Sequence, residues 1–286
     1  MGLLIALAGC VVAGDIHAHG FAGKRFFPAT LAIDDSFVNP ELDFLYSNDK
    51  IRGDNGDPVY LSALAEEFAL PVAHGFELSI GGAYLHQNPV GVGPTHNGFD
   101  NVEIGSKYQV FIHDDEESAL AVGMNADLGG SGSKRVGAAS FTTISPVIYY
   151  SKGLGSLSAQ VLRPLAITTQ IAPNFPTDSR EPHTLDWGFT IQYSLPYLED
   201  FVKYTGLKAP FRNMVPLIEF ANETCLDRGC HGQTTGSINP GFIWVGKSTQ
   251  LAFELNVPVN RRSGSHVGFM LQYHLYLDDI FPSMKR

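Results

Sequence analysis

The stretch "HVGFMLQYHLYL", His266 to Leu277, decides how this chain is read. Alternate residues are apolar: Val267, Phe269, Leu271, Tyr273, Leu275 and Leu277. Between them stand Gly268, Met270, Gln272, His274 and Tyr276. A period of two belongs to a β-strand, whose successive side chains point to opposite faces. Which face is wet separates two folds. A soluble sandwich turns the apolar row inward, and a membrane barrel turns it out into lipid.

Composition narrows the choice. The chain has 286 residues, of which 44% are hydrophobic and only 17% charged, against roughly 25% charged in soluble domains. With 30 Gly, 17 Pro and few long runs of helical period, it reads as β-rich. A net charge of −10 gives no basic face for nucleic acid, so no such partner is expected. Beyond the N-terminus no stretch approaches the ~18 continuous apolar residues of a spanning helix, which leaves a barrel as the membrane alternative.

The opening "MGLLIALAGCVVAG" is an apolar h-region, and Ala18 offers a small residue at a cleavage point before His19. Residues 1–18 are therefore expected to be a signal peptide, although no Lys or Arg precedes the apolar run. "LAGC", ending at Cys10, resembles a lipoprotein box, but Val11, Val12 and Ala13 continue the h-region beyond it, which favours ordinary cleavage. Cys225 and Cys230, in "ETCLDRGCHGQ", then remain. Their spacing suits a disulfide closing a small loop in an oxidising compartment. A metal site of Cys225, Cys230 and His231 would lack a second ligand pair, and no metal or cofactor is expected.

Alternating segments fill the rest. They are predicted at 41–50, 58–71, 76–87, 101–112, 118–128, 139–150, 157–171, 184–195, 212–222, 236–245, 249–257 and 265–277. Their usual length of about ten residues suits a tilted strand crossing a bilayer, and their even number suits a bacterial barrel. Short connectors at 72–75, 113–117, 151–156 and 246–248 alternate with longer ones, the pattern of periplasmic turns and outer loops. Residues 196–211 are the exception, a long inner turn with helical spacing. The predicted organisation is an N-terminal arm at 19–40, an up-and-down transmembrane β-barrel of about twelve strands at 41–277, and a tail at 278–286.

The second row of each strand is rich in Gly, Ser, Asn, Gln and isolated acids, which suits an enclosed lumen better than a solvated face. Residues predicted to line it are Glu77, Glu103, Lys107, Gln109, Asn125, Asp127, Arg163, Asp186, Gln192, Glu219, Glu254, Gln272 and His274. The acidic excess would favour cations or neutral solutes. The arm is the natural plug, with Lys24 and Arg25 meeting the acids and Phe26 and Phe27 filling space.

The last strand, with His266, Gly268, Leu271 and Tyr273, resembles the C-terminal signal read by the outer-membrane assembly machinery. Here, however, "DDIFPSMKR" follows it. "HGFAGKRFFPATLAIDDSF" and "GGSGSKRVGAASFTTISP" resemble segments of an outer-membrane transporter family placed in the MetA pathway of phenol degradation. That resemblance implies a small-solute channel in the bacterial outer membrane and brings no catalytic residues. Two other functions stay open: a closed barrel that binds or scaffolds a partner, and a lipid hydrolase in the barrel wall. An enzyme is not expected, since no G-x-S-x-G elbow occurs. A Ser beside His266 or His274 on the outer surface would argue for one.

Overall fold

The fold comes from a computed structural model that describes residues 20–52, 58–91, 93–230 and 232–284. The expected signal peptide, His19 and His231 lie outside the described residues. Two short strands, β1 (Phe21–Ala22) and β2 (Arg25–Phe26), form a hairpin in the arm. Then follow β3 (Glu41–Arg52), β4 (Pro58–Ala73), β5 (Phe76–Pro89), β6 (His96–Phe99), β7 (Val102–His113), β8 (Ser118–Leu128) and β9 (Thr143–Gly153). The second half supplies β10 (Leu165–Pro176), β11 (Thr184–Tyr193), β12 (Met214–Cys225), β13 (Thr234–Val245), β14 (Thr249–Pro258) and β15 (Gly268–Tyr276).

Strands β3 to β5 and β7 to β15 make a closed antiparallel barrel of twelve. Each pairs with its neighbours along the chain, and β15 returns to β3, from Tyr276 opposite Glu41 to Phe269 opposite Asn48. Closure leaves no edge of unpaired backbone for lipid to meet. The wall is irregular at one place. The inner half of β5 pairs with β7 and its outer half with β6, and one extra residue near Asp100–Asn101 steps the register between them. Asn101 pins this bulge through Nδ2 to Asp127 Oδ1 at 2.9 Å and to the Ala139 carbonyl at 3.0 Å.

Burial answers the question the last strand raised. On the outer row Ile80 is 53% exposed, Tyr108 50%, Ile148 53% and Leu271 45%, while Glu77, Lys107, Gln192 and Gln272 on the inner row are buried. A belt of bulky apolar side chains faces outward around polar ones, which is the inverse of a soluble sandwich.

Three expectations need correction. Leu277 does not face lipid: it is buried and starts a helical turn at Leu277–Ile280, because the chain leaves the wall after Tyr276. The connector at 151–156 is not short, since β10 begins only at Leu165 and residues 154–164 form an inner turn. The inner row is not polar throughout either. Val215, Leu217, Ile243, Val245 and Ala252 point inward at the inner end of β12 to β14 and seat the arm. The inner turn after β11 does form the expected short helix, over 195–202, and Cys225 and Cys230 are joined in a disulfide.

The lipid row sets a test. Ile148→Arg, near mid-height on β9, is expected to destabilise the folded barrel in bilayers by about 2–4 kcal/mol. Asn125→Ala, on the inner row, should change stability by under about 1 kcal/mol. Urea unfolding in lipid vesicles, followed by heat-modifiable gel mobility, measures both.

Candidate functional site: the lumen and its arm

Residues 20–40 run up inside the barrel and back down to β3. Phe26 and Leu31 pack against the inward apolar residues of β12 to β14 with Met270 and Tyr276, and Phe27 and Phe37 pack with Ala119 and Ala166. Burying such side chains is worth about 1.5–3 kcal/mol each. Polar contacts add direction. The wall accepts hydrogen bonds from the arm's backbone: Ala32 to Glu219 Oε2 (2.6 Å), Asp34 to Gln170 Oε1 (2.9 Å) and Asn39 to Glu77 Oε2 (2.8 Å). Ser36 donates to Ser151 at 2.9 Å.

Arg25 anchors the inner end. It is fully buried, ion-paired with Glu117 at 3.3 Å, and donates from Nη1 to the Pro164 carbonyl at 2.8 Å and from Nη2 to the Arg163 carbonyl. Its guanidinium lies 3.6 Å from the centre of the Tyr197 ring, and Tyr197 donates to Glu117 Oε1 at 2.6 Å. One side chain of the arm thus joins three inner turns. Burial pulls the guanidinium down from its ordinary value, opposed by Glu117 and Tyr197. Burial and the bond to Glu117 push the Tyr197 hydroxyl up to about 12. The turn that carries the arm's hairpin needs glycine: Gly23 has φ +61°, and a Cβ there would strike the Asp114 backbone, to whose side chain its N–H donates at 2.8 Å. Lys24 is exposed at the same end, 5.6 Å above the Phe201 ring.

Beside the crown of the arm, residues 29–34, lies a cavity of about 410 Å³. Its carboxylates, among them Asp34, Glu41, Asp43, Glu67, Glu77, Glu103 and Asp127, come from the arm and from the half of the wall that runs from β3 to β8. Two basic side chains face them. Lys107 pairs with Asp34 at 2.9 Å and lies 4.9 Å from the Tyr149 ring centre; His274 sits between Asp43 (3.2 Å) and Glu41 (3.5 Å). A second cavity of about 300 Å³, containing Asp186 and Glu223, lies across the arm's Ala32 and Ile33.

The residues predicted to line a pore therefore divide. Glu77, Glu103, Lys107, Asn125, Asp127, Gln272 and His274 surround the first cavity, and Asp186 the second. Gln192, Glu219 and Glu254 point inward but are buried. Gln109 bonds the carbonyls of Phe111 and Leu120 at a bulge near the inner end. Arg163 lies outside the wall, in the 154–164 turn, with its Nε on the Leu157 carbonyl at 2.7 Å. Sequence reasoning missed Asp34, Glu41, Asp43 and Glu67.

At the outer mouth Asp227, inside the disulfide loop, accepts from the His183 backbone at 2.9 Å and meets its ring at 2.6 Å, contacts that hold its carboxyl below the usual range. Ser265 Oγ lies 2.8 Å from His266 Nδ1, and Lys50 Nζ lies 3.3 Å from His266 Nε2.

No model of a known protein family matches the chain, and no curated protein matches its sequence. Solved structures do. An outer membrane channel from Pseudomonas putida F1 is similar with a TM-score of 0.56 at 10% identity, over 88% of this chain and 99% of that one. The chain has the fold of an outer-membrane β-barrel. The KdgM porin is more distant, with a TM-score of 0.46 at 13% identity over 82% of this chain and 98% of its own. LpxR from Salmonella typhimurium has a TM-score of 0.48 at 9% identity over 82% and 99%. These likenesses are of fold. The closed twelve-stranded wall with its outward apolar belt, the fold shared with that channel, is the architecture of a protein of the bacterial outer membrane.

The arm's anchor is testable. Arg25→Met removes the charge that balances buried Glu117, a loss expected to cost about 3–5 kcal/mol of arm docking. Protease added to purified barrels should then cleave within residues 20–40 while the barrel remains heat-modifiable, whereas the wild-type arm resists.

Proposed function

We propose that this barrel is a channel for passive diffusion of small cationic or neutral solutes, constricted by its own N-terminal arm. The observation that carries the reading is the carboxylate-lined cavity beside the crown of the arm. Charged groups lining a narrow passage set which ions enter, and the excess of carboxylates over Lys107 and His274 disfavours anions. Twelve strands leave a lumen narrower than that of 16–18-stranded porins, so a docked arm is enough to block it. In this reading the chain stands beside the phenol-degradation outer-membrane family that residues 19–37 and 129–146 resemble. Outer-membrane assembly machinery inserts it through the last strand.

The contacts that seat the arm favour a second reading, a closed barrel that binds or scaffolds a partner. A hydrolase gains no support from Ser265 and His266. A Lys ammonium only donates, so with Lys50 on Nε2 the ring's proton sits on Nδ1 and points at Ser265, where a general base would need a free lone pair.

Single-channel recording in planar bilayers separates the first two. Conductance should rise at least about tenfold when residues 20–40 are deleted, with cation preference that falls in Glu103→Gln/Asp127→Asn. A silent deletion variant would favour the closed barrel.

A further inference from the structure

Under the crown of the arm two carboxylic acids meet in an enclosed place. Glu219 on β12 and Glu254 on β14 are both 0% exposed and face each other. They reach one another across β13 because Gly241, which pairs with Glu254, has no side chain; a Cβ there would meet the Glu254 stem. Thr190 on β11 donates to Glu219 Oε1 at 3.0 Å, and the arm's Ala32 N–H donates to Oε2 at 2.6 Å. The other neighbours are uncharged. Asn239 on β13 lies opposite Glu219, Met270 on β15 lies opposite Glu254, and Thr30 comes from the arm. No ion pair involves either acid among the described residues, and the pairs of Asp34 with Lys107 and His274 with Asp43 belong to the adjoining cavity.

Two carboxylates facing each other, shut off from solvent and with no cationic side chain paired to either, cannot both be ionised; the pair keeps one proton between them. With the proton on Glu254, its O–H donates to Glu219 and gives one of the two otherwise unpaired Glu254 oxygens a partner, while Glu219 goes on accepting from Thr190 and from the arm. We propose that Glu219 and Glu254 form a proton-dependent latch for the crown of the arm: the shared proton holds residues 29–34 against the wall, and its loss to water frees them. The sign follows. The proton-bound pair is the docked form, so docking is complete at low pH and lost as pH rises through the value at which the pair gives up its second proton. The arm then opens a path for water to the two charges. The latch deepens the channel reading, since releasing the crown would join the two cavities on either side of Ala32 and Ile33.

Thiol accessibility tests the latch without assuming conduction. In full-length Leu31→Cys barrels in detergent, a small membrane-impermeant maleimide should label Cys slowly at about pH 6. Labelling at about pH 9.5, corrected for thiolate fraction with a free thiol, should be at least about tenfold faster. Adding Glu254→Gln, which keeps a donor toward Glu219 but no titrating proton, should leave the corrected rate flat; Glu219→Gln is a second such variant should the first fail to fold. A flat rate in the parent, or an equal rise in the folded glutamine variants, would overturn the proposal. Conductance recorded in parallel separates the two ideas. A pH-dependent thiol with pH-independent current leaves the latch standing and removes the arm as the channel's constriction.

Discussion

The constraint on which everything rests is the backbone's need for hydrogen bonds in a medium that offers none. An unpaired N–H or C=O in hydrocarbon costs several kcal/mol, so a sheet can enter lipid only if it closes. Closure through the β15–β3 pairing leaves each strand with one row toward lipid and one toward the lumen. That division sorts the sequence: Leu, Ile, Phe and Tyr outside, and acids, amides and small residues within.

A lumen of acids is an unstable filling by itself. The arm solves the problem unevenly. At the inner end it brings Phe26, Phe27 and Phe37 to apolar wall residues and Arg25 to Glu117. Toward the outer end it brings Asp34 to Lys107 and leaves cavities on both flanks. The arm is therefore firmly anchored at its inner end and has cavities beside its crown.

The strands were legible because burial acts residue by residue. β8 runs from Ser118 to Leu128 as its alternation predicts. Errors arose where alternation has another cause. Leu277 keeps the beat of β15 but lies beyond it in a helical turn, and the apolar Leu157, Val161 and Leu162 stand exposed on an inner turn rather than in the wall. The site was half legible. Glu77, Glu103, Lys107 and Asp127 stand on clean two-residue patterns. Glu67 was hidden by the Glu66–Glu67 doublet, in which Glu66 falls on the outward row with Phe44. Where the arm would lie could not be read from any local pattern, since its contacts with Glu219, Gln170 and Glu77 join residues far apart in the chain.

The central claim is that the apolar row of each strand touches lipid. Single cysteines placed in turn from Phe269 to Tyr276, each carrying a small fluorophore, can be read in vesicles doped with a lipid-borne quencher. The account predicts quenching that alternates with a period of two, strong at 269, 271, 273 and 275 and weak at 270, 272, 274 and 276. Quenching in the opposite phase, or none at any position, would contradict it.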